Sequence, residues 1–187
     1  MSDTFTKAQL INQTSGKTEY YTDPVIVDAA WEAMGGIDLD PASTIKVQEG
    51  FAAAGLQIRK IYTIEDNGLA QPWVTLDGKP SRVWLNHPFA RGQNQLWIDK
   101  LMEQVNCGNV EQACCITYAS TSEHWLQPLL SFPVCFLSPR TNYYLPDGTL
   151  AKGVTKGSMV TYIGKRVAAF AYCFGRLGKV MIPLGSE

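Results

Sequence analysis

Apolar positions along this chain switch between helical and strand-like period several times. Val27, Ala30, Trp31 and Met34 recur at helical spacing. Thr22 or Asp23 caps the segment, Pro24 occupies its first turn and Gly35-Gly36 closes it. The pattern predicts a helix that packs on a sheet through Trp31. Residues 37–40 read as a strand. Residues 43–54 read as a helix with Val47, Phe51 and Ala54 on one stripe, and residues 58–63 as a short strand. Asp77-Gly78-Lys79-Pro80 is turn chemistry leading into a central buried strand, Arg82-Val83-Trp84-Leu85. Trp97, Leu101 and Val105 then fall four apart, so residues 91–106 form an amphipathic helix with a core stripe and no chemistry of its own.

Residues 110–118 follow as a second buried strand. A helix capped by Thr121 or Ser122 holds Trp125, Leu126 and Leu129, with His124 exposed in its first turn. Residues 133–137 are a strand. Residues 140–145 and 158–163 read as two strands around a turn-bearing excursion, and a helix over 166–174 precedes a last strand over 180–182. Residues 1–18 are polar and read as a flexible arm ahead of one domain over 19–187. Alternating strands and helices predict an α/β layer architecture with a mostly parallel sheet and an antiparallel C-terminal edge.

Composition narrows the function classes. An apolar fraction of 45% with 18% charged residues is that of a globular domain, and no apolar run reaches the length of a membrane span. Met1-Ser2-Asp3-Thr4 lacks the basic start and apolar core of a secretory signal, which makes the cytoplasm the expected compartment. Five cysteines without a Cys-x-x-Cys read as buried free thiols, and two histidines are too few for a histidine-rich metal site. Net charge is −1, but its distribution is uneven: the first 137 residues carry −6 and the remainder +5. A basic C-terminal third can follow a phosphate backbone, or be ordinary solvated surface.

The candidate chemistry lies where strands stop. The 82–85 strand ends in Asn86-His87-Pro88-Phe89. The carboxyl end of a strand is where α/β folds place ligands. Pro88 stiffens the loop and restricts His87 to an extended conformation. An amide, a fixed backbone carbonyl and an aromatic face suit an exocyclic amine on a flat heterocycle. In Ile37-Asp38-Leu39-Asp40, two acids flank a leucine, which is unfavourable in a strand buried on both faces. A strand end that binds hydroxyls or an ammonium through carboxylates explains them, and caps for the following helix are the competing reading. Pro41-Ala42-Ser43-Thr44 stands where a glycine-rich phosphate turn would be. Asp66-Asn67-Gly68 is turn chemistry.

Asn86-His87-Pro88-Phe89 resembles the Asp/Asn/Ser-Pro-Pro-aromatic motif of amino-group methyltransferases, with His87 in place of the first proline. Together with Tyr20-Tyr21-Thr22-Asp23-Pro24, Gly36-Ile37-Asp38-Leu39-Asp40-Pro41-Ala42-Ser43, Asp66-Asn67-Gly68-Leu69 and Gln71-Pro72-Trp73, in this order, the chain is similar to phage- and prophage-encoded Dam-type DNA N6-adenine methyltransferases. The resemblance runs over residues 19–178. It implies the S-adenosylmethionine-dependent methyltransferase version of the Rossmann-like fold, and S-adenosylmethionine as cofactor. It implies double-stranded DNA as partner, no membrane, and the cytoplasm of a bacterial host. It places Tyr21, Thr22, Pro24, Asp38, Asp40, Pro41 and Asp66 around the cofactor, with Asp66 accepting from the cofactor's adenine amine. Asn86, His87, Pro88 and Phe89 are the catalytic set. Asn86 accepts one N–H of a flipped adenine through its side chain, and His87 accepts the other through its backbone carbonyl. Phe89 stacks on the base.

Base readout at this length falls to loops. Arg91, Gln93 and Asn94 form one candidate set, and the basic segment holding Arg140, Lys152 and Lys156 forms another. Two other functions fit the same residues. One is an amino methyltransferase acting on cytosine, RNA or a protein amide. The other is a weak or inactive methyltransferase-like protein that binds DNA, as an anti-restriction decoy does.

Overall fold

The computed structural model describes residues 21–89, 92–144, 149 and 155–184. The expected arm over 1–18 and the expected DNA contacts Arg91 and Lys152 lie outside these residues. In chain order the elements are α1 (Pro24–Met34), β1 (Ile37–Asp40), α2 (Ile45–Ala53), β2 (Ile58–Ile61), β3 (Ser81–Leu85), α3 (Gln93–Asn106) and β4 (Val110–Tyr118). A 3-10 helix (His124–Ser131), β5 (Val134–Leu137), β6 (Ser158–Ile163), α4 (Val167–Gly175) and β7 (Gly178–Met181) complete the set.

The architecture is α/β. Seven strands form one mixed sheet in the order β2-β1-β3-β4-β6-β5-β7. β1 runs parallel to β2 and β3, and β3 parallel to β4. β6 is antiparallel to both β4 and β5, and β7 is antiparallel to β5. The chain leaves β1 for β2 on one side, then crosses to β3 on the other. The carboxyl ends of β1 and β3 therefore flank a topological switch point, where a crevice opens.

Both faces of the sheet are covered, and the strand period shows it. In β3, Trp84 enters one core with α1 and α4, while Val83 and Leu85 enter the other with α3 and the 3-10 helix. In β4, Cys114 and Ile116 join the first core, Ala113 and Cys115 the second. All five cysteines are free thiols; only Cys107 is exposed. No helix among the described residues is long and apolar enough to cross a membrane.

The cap read from the sequence for α1 is in place, and the structure adds one for α2. The Asp23 carboxylate accepts from the Val25 amide at 3.0 Å, and Thr44 Oγ1 accepts from the Val47 amide at 3.2 Å. Four expectations are corrected. Trp31 is 39% exposed, and α1 packs instead through Ile26, Val27, Ala29, Ala30, Ala33 and Met34; small alanines let it approach its neighbours closely. Ala54 is exposed, so the α2 stripe rests on Phe51. The helix expected behind a Thr121 or Ser122 cap is a 3-10 helix that starts at His124 with Glu123 at its cap position, since Pro128 within it has no N–H for an α-helical bond. Residues 140–144 are not a strand: their ladder is a single bridge between Tyr144 and Tyr21.

β1 is buried along its whole length in spite of its two acids. Arg82, on the neighbouring β3, makes this possible for Asp38. Its Nε donates to Asp38 Oδ2 at 2.7 Å, its Nη2 to Oδ1 at 2.9 Å, and its backbone N–H to Oδ2 at 3.1 Å. Hydrogen bonds from the Arg82 side chain hold the Asp38 carboxyl below its ordinary pKa. Arg82 Nη1 also donates to the Gly35 carbonyl, and a Cβ on Gly36, whose φ is +128°, would fall 2.9 Å from that same nitrogen.

Candidate active site

A cavity of about 520 Å³ opens at the carboxyl ends of β1 and β3. Its walls come from several parts of the chain, α2 among them through Ile45, Val47 and Phe51. β1 contributes Asp40 and its following loop, Pro41 to Thr44. β3 contributes Asn86, His87, Pro88 and Phe89. Tyr21 and Thr22 enter ahead of α1, and Gln93 and Trp97 come from α3. The turn after β2 closes the remaining side with Thr63, Ile64, Glu65, Asn67 and Gly68.

That turn is fixed by chain geometry. Asn67 adopts a positive φ of 54°, and a Cβ on Gly68 would fall 2.0 Å from the Pro41 carbonyl oxygen. Only glycine lets the turn press against the loop after β1. Asp66 is exposed and serves the turn itself, accepting from the Thr63 amide and Thr63 Oγ1, each at 2.8 Å. These bonds hold its carboxyl below the ordinary value. Asp66 therefore shapes the cavity wall from outside, and its neighbours Glu65 and Asn67 line it.

Asp40 is the buried acid of the site, 2% exposed, and accepts from the Ala42 amide at 3.1 Å. Burial pushes its carboxyl up to about 7, against the pull of that amide. Asp38, two residues earlier, is bound to Arg82 and is not among the lining residues. Pro24, the first residue of α1, lies outside the cavity lining as well. No lysine or arginine lines the cavity among the described residues.

His87 is 2% exposed. Its ring lies nearly parallel to Trp97, at 7° with centroids 6.4 Å apart, and meets Phe89 edge-on at 5.3 Å. Nδ1 lies 3.1 Å from the Pro88 carbonyl oxygen. Burial pushes the imidazole down to about 4, so it is neutral near pH 7. Asn86 and Phe89 are half-buried. Phe89 rests on Tyr118, centroids 4.6 Å apart, and against Tyr143 at 6.0 Å.

The expected DNA-reading residues divide. Gln93 lines the cavity. Asn94 is half-buried, its Oδ1 enclosed. Arg140 is exposed. Lys156 places its Nζ 5.2 Å above the Tyr118 ring, one aromatic away from Phe89. Trp97 is the residue that sequence reasoning missed as part of the site. Its helical spacing marked it as core, which it is, and nothing in that spacing reveals that the same ring borders the tetrad. Among the described residues no group of three His, Cys, Asp or Glu side chains is placed to hold a metal ion. No protein-family model matches this chain, and no curated protein matches it.

Proposed function

We propose that this chain is a Dam-type methyltransferase, acting in the cytoplasm of a bacterial host, that moves a methyl group from S-adenosylmethionine to the N6 amine of an adenine in double-stranded DNA. One observation carries the reading: Asn86-His87-Pro88-Phe89, at the end of β3, shares a single cavity with Asp40 and Pro41 at the end of β1. Four parallel strands beside an antiparallel β5–β6 pair support the methyltransferase version of the Rossmann-like fold.

The residues present fit the cofactor. The volume of about 520 Å³ lies within the range of about 300–1,000 Å³ common for ligand sites. Asp40 and Glu65 line the cavity without a lysine or arginine among the described residues. The two acidic side chains favour a ligand that carries positive charge. When bound, S-adenosylmethionine supplies an electrophilic methyl group on a sulfonium.

The chain's own task is to activate a weak nucleophile. The lone pair of the adenine amine is delocalised into the ring. The Asn86 side-chain oxygen accepts one N–H of that amine and the His87 backbone carbonyl the other. As the nitrogen becomes tetrahedral its protons become more acidic, and both hydrogen bonds strengthen. This is transition-state stabilisation by preorganised dipoles. His87 fulfils that role with its backbone, so a histidine in place of proline leaves it intact. The contact of Nδ1 with the Pro88 carbonyl stiffens the loop that the missing proline would otherwise constrain. Phe89, held by Tyr118 and Tyr143, offers a face to the flipped base.

The test uses the full chain, methyl-labelled S-adenosylmethionine and unmethylated double-stranded DNA digested to nucleosides. Label in N6-methyladenine that is absent with Asn86→Ala is the expected result. Label in another base moves the activity to a different amine, and absence of both label and cofactor binding overturns the reading.

A further inference from the structure

Four residues that line the cavity carry buried polar atoms with no hydrogen-bond partner: Thr22 Oγ1, Ser43 Oγ, His87 Nε2 and Trp97 Nε1. They come from four separate parts of the chain and line the same cavity. A buried polar atom without a partner costs about 1–3 kcal/mol. Native folds keep such groups rare, so a cluster of them on one cavity calls for an occupant.

Of these, His87 has the most defined chemistry. Nδ1 faces the Pro88 carbonyl, an acceptor, so the ring proton resides on Nδ1. Nε2 is then a bare lone pair. The parallel ring of Trp97 and the edge contact with Phe89 fix the imidazole plane. Neighbours cover Nε2, so a hydrogen bond from a ligand there requires the 86–89 loop to shift on binding.

We propose that His87 is a specificity-determining residue of this cavity, whose Nε2 accepts a hydrogen bond from an N–H or O–H of the bound cofactor. A neutral acceptor at this point selects a donor-bearing ligand and rejects one that presents a carboxylate or phosphate oxygen there. The proposal rests on the cofactor reading above and adds a side-chain role to a residue that the reaction uses through its backbone.

The chain has two histidines, so their ring nitrogens are readily distinguished by nitrogen-15 NMR of histidine-labelled protein. In the free protein His87 should show the neutral Nδ1–H tautomer. Saturating S-adenosylmethionine should move its Nε2 resonance to the position of a hydrogen-bonded acceptor and leave His124 unmoved. In calorimetric titration His87→Phe should bind S-adenosylmethionine about tenfold more weakly, the loss of one hydrogen bond. His87→Gln, which carries an acceptor at the distance of Nε2, should stay within about threefold of the parent protein. An Nε2 resonance unchanged at saturation overturns the proposal, even where His87→Phe fails to fold. Equal affinity of His87→Phe and the parent protein overturns it too, leaving the cofactor reading intact. Absence of saturable binding by the parent protein overturns the cofactor reading and this inference together.

Discussion

The Asp38 carboxylate and the Arg82 guanidinium face each other across β1 and β3, with Nε–Oδ2 at 2.7 Å and Nη2–Oδ1 at 2.9 Å. Asp40, two positions along the same strand, has no such cation among the described residues and lines the cavity instead. One member of the acid pair thus holds the sheet together beneath the site, and the other meets its contents. Arg82→Met should destabilise the fold by about 3 kcal/mol, because Asp38 keeps a buried charge with only the exposed Arg59, 3.7 Å away, beside it. Asp38→Leu combined with Arg82→Met should recover much of that loss. Urea unfolding of the two variants checks both statements.

Asp40 and His87 make opposite demands on proton balance. The Asp40 carboxyl titrates near 7 in the fold against 3.8 in an unfolded chain. The folded state therefore binds the extra proton, and this contribution to stability is lost as pH rises from about 4 to 7. His87 titrates near 4 in the fold against 6.5 unfolded. Here the unfolded state binds the extra proton, and the contribution is lost as pH falls from about 6.5 to 4. The two slopes oppose each other in the parent protein. Asp40→Asn should expose a stability that rises with pH across this window, and His87→Gln one that falls with pH, each by up to about 1.4 kcal/mol per pH unit. Urea midpoints measured from pH 4 to 7.5 decide it.

Binding should carry its own proton signature. A cation beside Asp40 favours the ionised carboxyl and lowers its pKa from about 7. S-adenosylmethionine should therefore bind more weakly as pH drops below 7, by up to about tenfold per unit, with proton release near neutrality. Titration calorimetry in buffers of different ionisation enthalpy measures that release. Asp40→Asn should abolish it.

Gly68 tests whether the turn after β2 belongs to the site. Its absent side chain is what allows contact with the Pro41 carbonyl. Gly68→Ala should displace the turn, cost about 1–3 kcal/mol of stability and weaken cofactor binding. Asp66→Ala leaves that backbone contact possible and should have the smaller effect. Thermal unfolding and titration of both variants, side by side, provide the comparison.

Asn86→Ala should lower kcat by about 10²–10³, the usual cost of one preorganised polar group at a reacting atom. Single-turnover methyl transfer measures this directly. Asn86→Asp keeps an acceptor and should retain more of the rate.

Much of this protein was legible in its residues because the signals are local. The period of apolar positions located β3, β4 and α3, with β4 matched residue for residue, since a buried strand and an amphipathic helix repeat at different intervals. The cap at Asp23 and the polar stop at Asn86 are likewise short-range chemistry. The tertiary structure alone decided what distance along the chain conceals. Arg82 lies 44 residues from Asp38, and that pairing separates a structural acid from a cavity acid where the sequence shows two equivalent ones. Trp97 reads as core from its spacing, yet its ring also walls the cavity beside His87; Trp31 reads as core and is half-exposed. Periodicity specifies which side of an element is apolar, but the neighbours that side meets depend on how the sheet orders its strands.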